Sequence, residues 1–293
     1  MGRRRGGRRP IPFPPPRGTL VTTAVSTPRV ARPVKRTTYW SRYRHALWLL
    51  TTRDLKVRYT TSALGYVWSI LDPLLMGLIY FVIFGFVFHR GGVNDQPYIL
   101  FLLMAVLPWT WFNGNLSDAT RAFRQEGKLI RSVRIPRSIW ILRQIASKGI
   151  EFVISLSIIV FFALINLTAP SPWTIVYLPV AIVLQILLTV GCNFIIAPLS
   201  VFYRDMERVI KLGLRVLFYG APVLYHLEIG NPVLHFVYGL DPIAGILDLY
   251  RGCFFPSIVD WVYIVEGTVI SVIIFTIGAV VFRRSVPRVL KEL

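Results

Sequence analysis

Few residues in this chain have the types and spacing that covalent chemistry needs. The four histidines, His45, His89, His226 and His235, are scattered. The two cysteines, Cys192 and Cys253, sit in apolar surroundings and read as small packing residues, not as a disulfide framework or a metal cluster. No G-x-x-x-x-G-K-[ST] phosphate loop is present, so the chain does not bind ATP in that way by itself. H-E-x-x-H and nucleophile-elbow patterns are absent too, so no catalytic residue and no metal ligand is assigned. Asp72 and Glu266 are the acids inside apolar segments, far apart in depth, whereas an ion-coupled transporter needs clustered ionisable groups. Asp72 precedes Pro73 near a segment start, where helix capping or an interface role at a Pro kink fits better than proton chemistry.

The densest group able to hold a ligand is aromatic. Trp109, Trp111 and Phe112 follow Pro108 in LPWTWFNGN. Such rings either pack against neighbouring helices or stack on the apolar faces of sugars. A second unusual stretch is 221–256, too apolar for an ordinary loop and too often interrupted by Pro and Gly to span a bilayer, which takes ~20 apolar residues. Broken apolar segments are tolerated at membrane depth where protein buries them. The stretch therefore reads as a re-entrant helical hairpin over about 230–256, with short helices over about 232–239 and 241–252. Pro232 and Pro242 would start them and Asp241 would cap the second. The other reading is an apolar loop on the lipid surface.

The elements that must position these groups follow from composition. The chain has 293 residues, 54% hydrophobic and 16% charged, with a mean hydropathy of +0.58. A soluble domain carries about 25% charge. The net charge of +19 is not spread as a nucleic-acid surface would spread it. Residues 1–58 hold 15 Lys/Arg against Asp54 alone; residues 118–151 hold eight against three acids. Basic excess also marks 204–215 and 283–293, and only Arg90 and Arg251 lie elsewhere. Alternation of this kind is the positive-inside pattern, and it puts both termini in the cytoplasm.

The expected architecture is an all-α membrane protein with six transmembrane helices, at about 66–88, 98–116, 138–167, 173–202, 209–225 and 259–282. Residues 1–38, rich in Arg, Pro and Gly, form a disordered cytoplasmic tail. Residues 39–58 form an amphipathic interface helix with Trp40, Tyr43, Leu47 and Leu50 on its apolar side. The transmembrane domain runs over 59–285, and 286–293 is a second cytoplasmic tail. Glu151 and Lys148 are expected to pair locally. The sequons at Asn115 and Asn166 are taken as chance.

Four stretches resemble the permease subunit of type-2 ABC exporters for lipid-linked polysaccharide, the Wzm/TagG-like family. They are Leu64-Gly65 with Trp68 and Pro73; Leu107-Pro108-Trp109 with Phe112 and Asn115; Leu129-Ile130-Arg131 with Ile135-Pro136-Arg137; and Phe202-Tyr203-Arg204-Asp205 with Pro222, Asp241-Pro242 and Tyr250-Arg251. The resemblance covers about 40–285, and Asp241 stands where the family more often has Asn. The Arg/Pro-rich tail is most similar to the actinobacterial galactan exporters.

That resemblance implies a homodimer bound to two copies of a separate ABC ATPase in the bacterial inner membrane. This chain would carry no cofactor, with ATP and Mg on the partner. It implies a lipid-linked polysaccharide substrate, contact with membrane lipids and no nucleic acid. Arg131, Pro136, Arg137, Arg204 and Asp205 would couple to the ATPase. Asp241, Pro242, Tyr250 and Arg251 would belong to the external gate, and Trp109, Trp111 and Phe112 to the pathway. Arg42, Arg44, Arg53, Lys56 and Arg58 are candidates for the lipid diphosphate. The alternatives are a type-2 ABC permease for a drug or lipid, a membrane-embedded glycosyltransferase of the same pathway, and an ATP-independent flippase.

Overall fold

Long runs of apolar residues without helix-breaking clusters fold here into helices that satisfy their own backbone hydrogen bonds, as a bilayer requires. The computed structural model describes residues 39–60, 65–83, 97–132, 135–225 and 238–292, together with Gly2. The expected tail over 1–38, the first hairpin helix over 232–237 and His89, His226 and His235 lie outside these residues, apart from Gly2. Ten α-helices occur among the described residues. They are α1 (Tyr39–Thr60), α2 (Trp68–Phe81), α3 (Tyr98–Ala119), α4 (Ala122–Gln125), α5 (Gly127–Ser132), α6 (Ser138–Ile165), α7 (Thr174–Phe202), α8 (Met206–Gly220), α9 (Pro242–Gly252) and α10 (Trp261–Glu292).

Four of these, α3, α6, α7 and α10, are long and apolar enough to cross a membrane. The segments expected as first and fifth spans appear as the 14-residue α2 and the 15-residue α8. At 1.5 Å per residue α8 is about 22 Å long, short of a ~30 Å hydrocarbon core. Gly65, just before α2, has φ +48°, a conformation that a side chain at that position would strain. The helix α10 carries on past Arg283 and Arg284 to Glu292, through the expected C-terminal tail.

The buried centre is α3, whose apolar residues are enclosed along nearly its whole length. Around it, α6, α7 and α10 turn large apolar side chains outward, among them Phe161, Leu164, Val183, Val269 and Ile277. So broad an exposed apolar surface suits lipid, not water. The α7–α10 contact is made by glycines. A Cβ on Gly191 would lie 2.7 Å from the Phe275 backbone, and one on Gly278 would collide with the Gly191 carbonyl. Small residues let helix backbones approach where lipid offers no hydrophobic drive.

The helix α1 packs lengthwise on α6. Its contacts follow the same order on both helices: Tyr43 to Ser138, Asp54 to Arg143 and Arg58 to Glu151. Leu50, Leu55 and Tyr59 are buried, and Tyr43 and Leu47 pack against the core. The apolar stripe expected to face lipid is therefore largely covered by protein. Trp40, Trp48, Leu49 and Val57 are the apolar side chains left exposed.

Gly278→Val inserts a branched side chain into a backbone contact, and overpacking of that kind costs about 1–3 kcal/mol. The expected result is a lower thermal midpoint in detergent, with Gly213→Ala, where a Cβ meets open space inside α8, as the control that does not lower it.

Candidate functional site

On an α-helix, residues three apart share a face and residues two apart do not. That spacing divides the aromatic group of α3. Trp109 and Phe112 lie together, ring centroids 6.0 Å apart. Trp109 meets Phe218 of α8 at 5.5 Å, Phe218 meets Tyr80 of α2 at 5.5 Å, and Tyr219 follows at 5.2 Å. Trp109, Phe218, Tyr80 and Tyr219 border a groove of about 270 Å³ between α2, α3 and α8, which also takes in Asn113, Lys211 and Arg215; Phe112 is buried against Trp109 and does not line it. Trp111 points elsewhere, stacked on Phe152 of α6 at 4.8 Å with Tyr250 of α9 edge-on beyond it. The groove members Tyr80, Phe218, Tyr219, Lys211 and Arg215 were missed by sequence reasoning. The wheel spacing of Trp109 and Phe112 was available; the approach of α8 was not.

The helix α9 is built as expected. The Ile243 amide donates to Asp241 Oδ1 at 3.1 Å and Pro242 occupies the first turn. Every residue from Ile243 to Gly252 is buried. Gly245 faces the Tyr263 backbone of α10 with no room for a side chain. Arg251, fully enclosed, donates to the Val223 carbonyl at 2.8 Å and the Tyr225 carbonyl at 3.3 Å, and lies 3.9 Å over the Phe101 ring. Tyr98 donates to the adjacent Leu224 carbonyl at 2.8 Å. Arg251 thus clamps the chain leaving α8 onto α3 and α9. Tyr250 is buried beside it, and its hydroxyl has no hydrogen-bond partner among the described residues.

At the other end of α3, ion pairs join elements distant in sequence. Arg143 of α6 donates to Asp54 at 2.8 Å and to Glu126 at 3.0 Å; Arg53 donates to the same Glu126 oxygen at 2.9 Å. Burial pushes the Asp54 carboxyl above its ordinary value against the pull of Arg143 and Arg53. Arg58 pairs with Glu151 at 2.7 Å, and Lys148 with Asp118 at 3.2 Å. The expected Glu151–Lys148 pair is replaced by these two cross-element pairs. Arg121 and Lys211 both donate to Glu207, holding its carboxyl down at about 2.

Among the diphosphate candidates, Arg53 and Arg58 are therefore engaged by carboxylates. A cavity of about 550 Å³ beside Arg58 contains Lys148 but also Asp72, Asp118 and Glu151, which makes it a poor anion site. Arg42, Arg44 and Lys56 are exposed. Of the coupling candidates, Arg131 belongs to α5, and Pro136 and Arg137 open α6, with Arg137 donating to the Ile135 carbonyl at 2.8 Å. Arg204 and Asp205 are exposed in the turn before α8. Asn115 is wholly buried, its amide donating to the Trp111 carbonyl at 2.8 Å, which leaves no room for a glycan.

A bundle with outward apolar faces and charge gathered at one end of its central helix is a polytopic helical membrane protein. The chain belongs to the ABC-2 type transporter family, whose family model matches residues 45–255. Among its relatives, the O-antigen export system permease protein RfbA of Klebsiella pneumoniae is 29% identical over 236 residues, 80% of this chain and 90% of that protein. RfbA of Myxococcus xanthus is 28% identical, covering 73% and 81%. The polysialic acid transport protein KpsM of Escherichia coli is 26% identical, covering 74% and 82%.

Replacing Arg251 by Met leaves the Val223 and Tyr225 carbonyls without their donor. The expected loss is about 2–4 kcal/mol of unfolding stability in detergent, with Arg251→Lys smaller.

A depressed carboxylate contributes stability above its unfolded value of 4.5 and loses it as pH falls through about 2. The difference in thermal midpoint between the parent and Glu207→Gln is accordingly flat from about pH 8 to 5 and closes in stronger acid.

Proposed function

We propose that this chain is the permease subunit of an ATP-driven exporter that carries a lipid-linked polysaccharide across the bacterial inner membrane. The observation that carries the reading is likeness over most of its length to O-antigen export system permease proteins and to a polysialic acid transport protein. In this reading ATP and Mg bind a separate ATPase subunit, and two copies of each chain assemble. Support for a homodimer comes from α8, whose Val209, Leu212, Val216 and Tyr219 form an exposed apolar stripe beside the aromatic groove. A second copy covering it would complete a pathway lined by Trp109, Tyr80, Phe218 and Tyr219. Rings of this kind bind successive sugars by stacking without fixing one sequence.

The finer topology belongs to the same proposal. Six spans would include α2 with the residues after it, and α8 with the turn that follows. The buried α9, at about 16 Å, is too short to cross and would be the returning arm of the re-entrant gate, held by Arg251. The interface helix would meet headgroups through Trp40 and Trp48, with Arg42, Arg44 and Lys56 nearest the lipid diphosphate. Both termini would be cytoplasmic, with the 1–38 and 286–293 tails there. The segments 121–137 and 203–209 would receive the ATPase, through Arg131, Pro136, Arg137, Arg204 and Asp205.

Co-purification with the candidate ATPase, followed by ATP hydrolysis and surface-glycan measurements, tests this. Lipid-linked glycan should stimulate hydrolysis in the complex. Trp109→Ala and Phe218→Ala should each lower export by about tenfold, the loss of one stacking contact worth ~1–1.5 kcal/mol. Stimulation by drugs or phospholipids and not by glycan would overturn the substrate class. Glycan transfer by the chain alone would mean an enzyme, and glycan crossing with an inactive ATPase would mean a flippase.

A further inference from the structure

The guanidinium of Arg143 holds three separate segments together. It is buried on α6, 3% exposed, and makes one hydrogen bond to Asp54 of α1 and another to Glu126 in the turn between α4 and α5. Its Cζ lies 4.9 Å from the centroid of the Trp140 ring. Arg53 closes the arrangement by bonding the Glu126 oxygen that Arg143 also uses. A planar fork can meet two carboxylates in fixed directions; a lysine ammonium cannot. Asp54 is the one acid among the first 58 residues, and Glu126 the one acid between Ala119 and Gly149. Both acids converge on Arg143.

We infer that Arg143 is a positioning residue that locks α1 to the α4–α5 turn, so that the two move as one body with the start of α6. The inference rests on the permease reading in one respect: it takes the 121–137 segment as the place where the ATPase pushes. Given that, displacement of the turn carries α1 with it, and α1 holds the exposed basic side chains Arg44 and Lys56. The force generated on the partner subunit thereby reaches the surface where a lipid-linked substrate arrives, without passing through the aromatic groove. A buried charge left without its carboxylates would be strongly unfavourable, so the lock does not open during a cycle.

The test uses the full chain in its complex with the ATPase. Spin labels are placed at the exposed positions of Val57 on α1 and Gln125 on α4, and their separation is measured with and without vanadate-trapped nucleotide. In the parent the distance distribution should stay single and narrow in both states. In Arg143→Met it should broaden while ATP hydrolysis persists. Surface glycan per ATP hydrolysed should fall about tenfold, within the range for mutations that alter coupling between sites. Arg143→Lys, able to satisfy one carboxylate at a time, should fall between. A narrow parent-like distribution in Arg143→Met overturns the lock. So does a fall in hydrolysis and export in the same proportion, which marks a general folding role. If Arg143→Met does not accumulate, Asp54→Asn, which keeps the side-chain shape, is measured for the same broadening. The label distances decide the lock even in a complex that exports no glycan, an outcome that counts against the permease reading alone.

Discussion

Taking a charged side chain out of water costs several kcal/mol unless opposite charge and hydrogen bonds replace the lost hydration. In this chain that constraint places the buried arginines at opposite ends of α3. Arg143 and its carboxylates belong with the C-terminal end, and Arg251 with its carbonyls lies over Phe101 near the N-terminal end. Between them α3 is apolar and enclosed. The ends of the bundle are therefore fixed by directional polar contacts, while its middle is held mainly by packing, with one buried hydrogen bond from Gln185 of α7 to the Pro108 carbonyl at 2.8 Å. Packing in a bilayer has no hydrophobic drive behind it, so it depends on close approach. The glycines Gly191 and Gly278 supply that approach for α7 and α10, and Gly245 supplies it for α9.

The acids of the charged end illustrate the same economy of placement. Its surface is strongly basic, and acids there are few. Asp54, Asp118, Glu126, Glu151 and Glu207 each pair with a base from another helix or segment. Exposed pairs of this kind contribute about 0–1 kcal/mol each. The Arg143 pairs differ because the cation is buried. Their removal would strand a charge, so they fix geometry more than they add stability.

Much of the helix layout was legible in the sequence. Hydropathy set α3, α6 and α7 within a few residues, since a bilayer-length apolar run has one low-energy structure in lipid. The start of α9 was legible from Asp241-Pro242, because capping is local chemistry. Two further facts were within reach and needed only the helical wheel: that Trp111 faces away from Trp109, and that α8 carries charge on one side and Val209, Leu212 and Val216 on another. The ion pairs were not legible. In Arg53–Glu126, Asp54–Arg143 and Arg58–Glu151 the partners lie 73 to 93 residues apart, and nothing local to α1 points to Glu126 as the acceptor of Arg53. Local spacing suggested Glu151 with Lys148, and tertiary packing overrode it.

The contrast between Arg53 and Lys56 shows how the fold divides a basic helix into working surfaces. Both stand in one run of positive charge on α1, three residues apart. Sequence charge alone treats them as one patch able to attract an anion. In the folded chain Arg53 is neutralised by Glu126, and Arg58, one turn on, by Glu151, while Lys56 stays exposed. The patch therefore separates into a face that attaches α1 to the bundle and a face that meets the surroundings. An anion approaching α1 encounters the second face only. Net charge counted along the chain consequently overstates the positive field at this helix, and the residues able to act on a phosphate are those whose charge the structure leaves unanswered by a carboxylate.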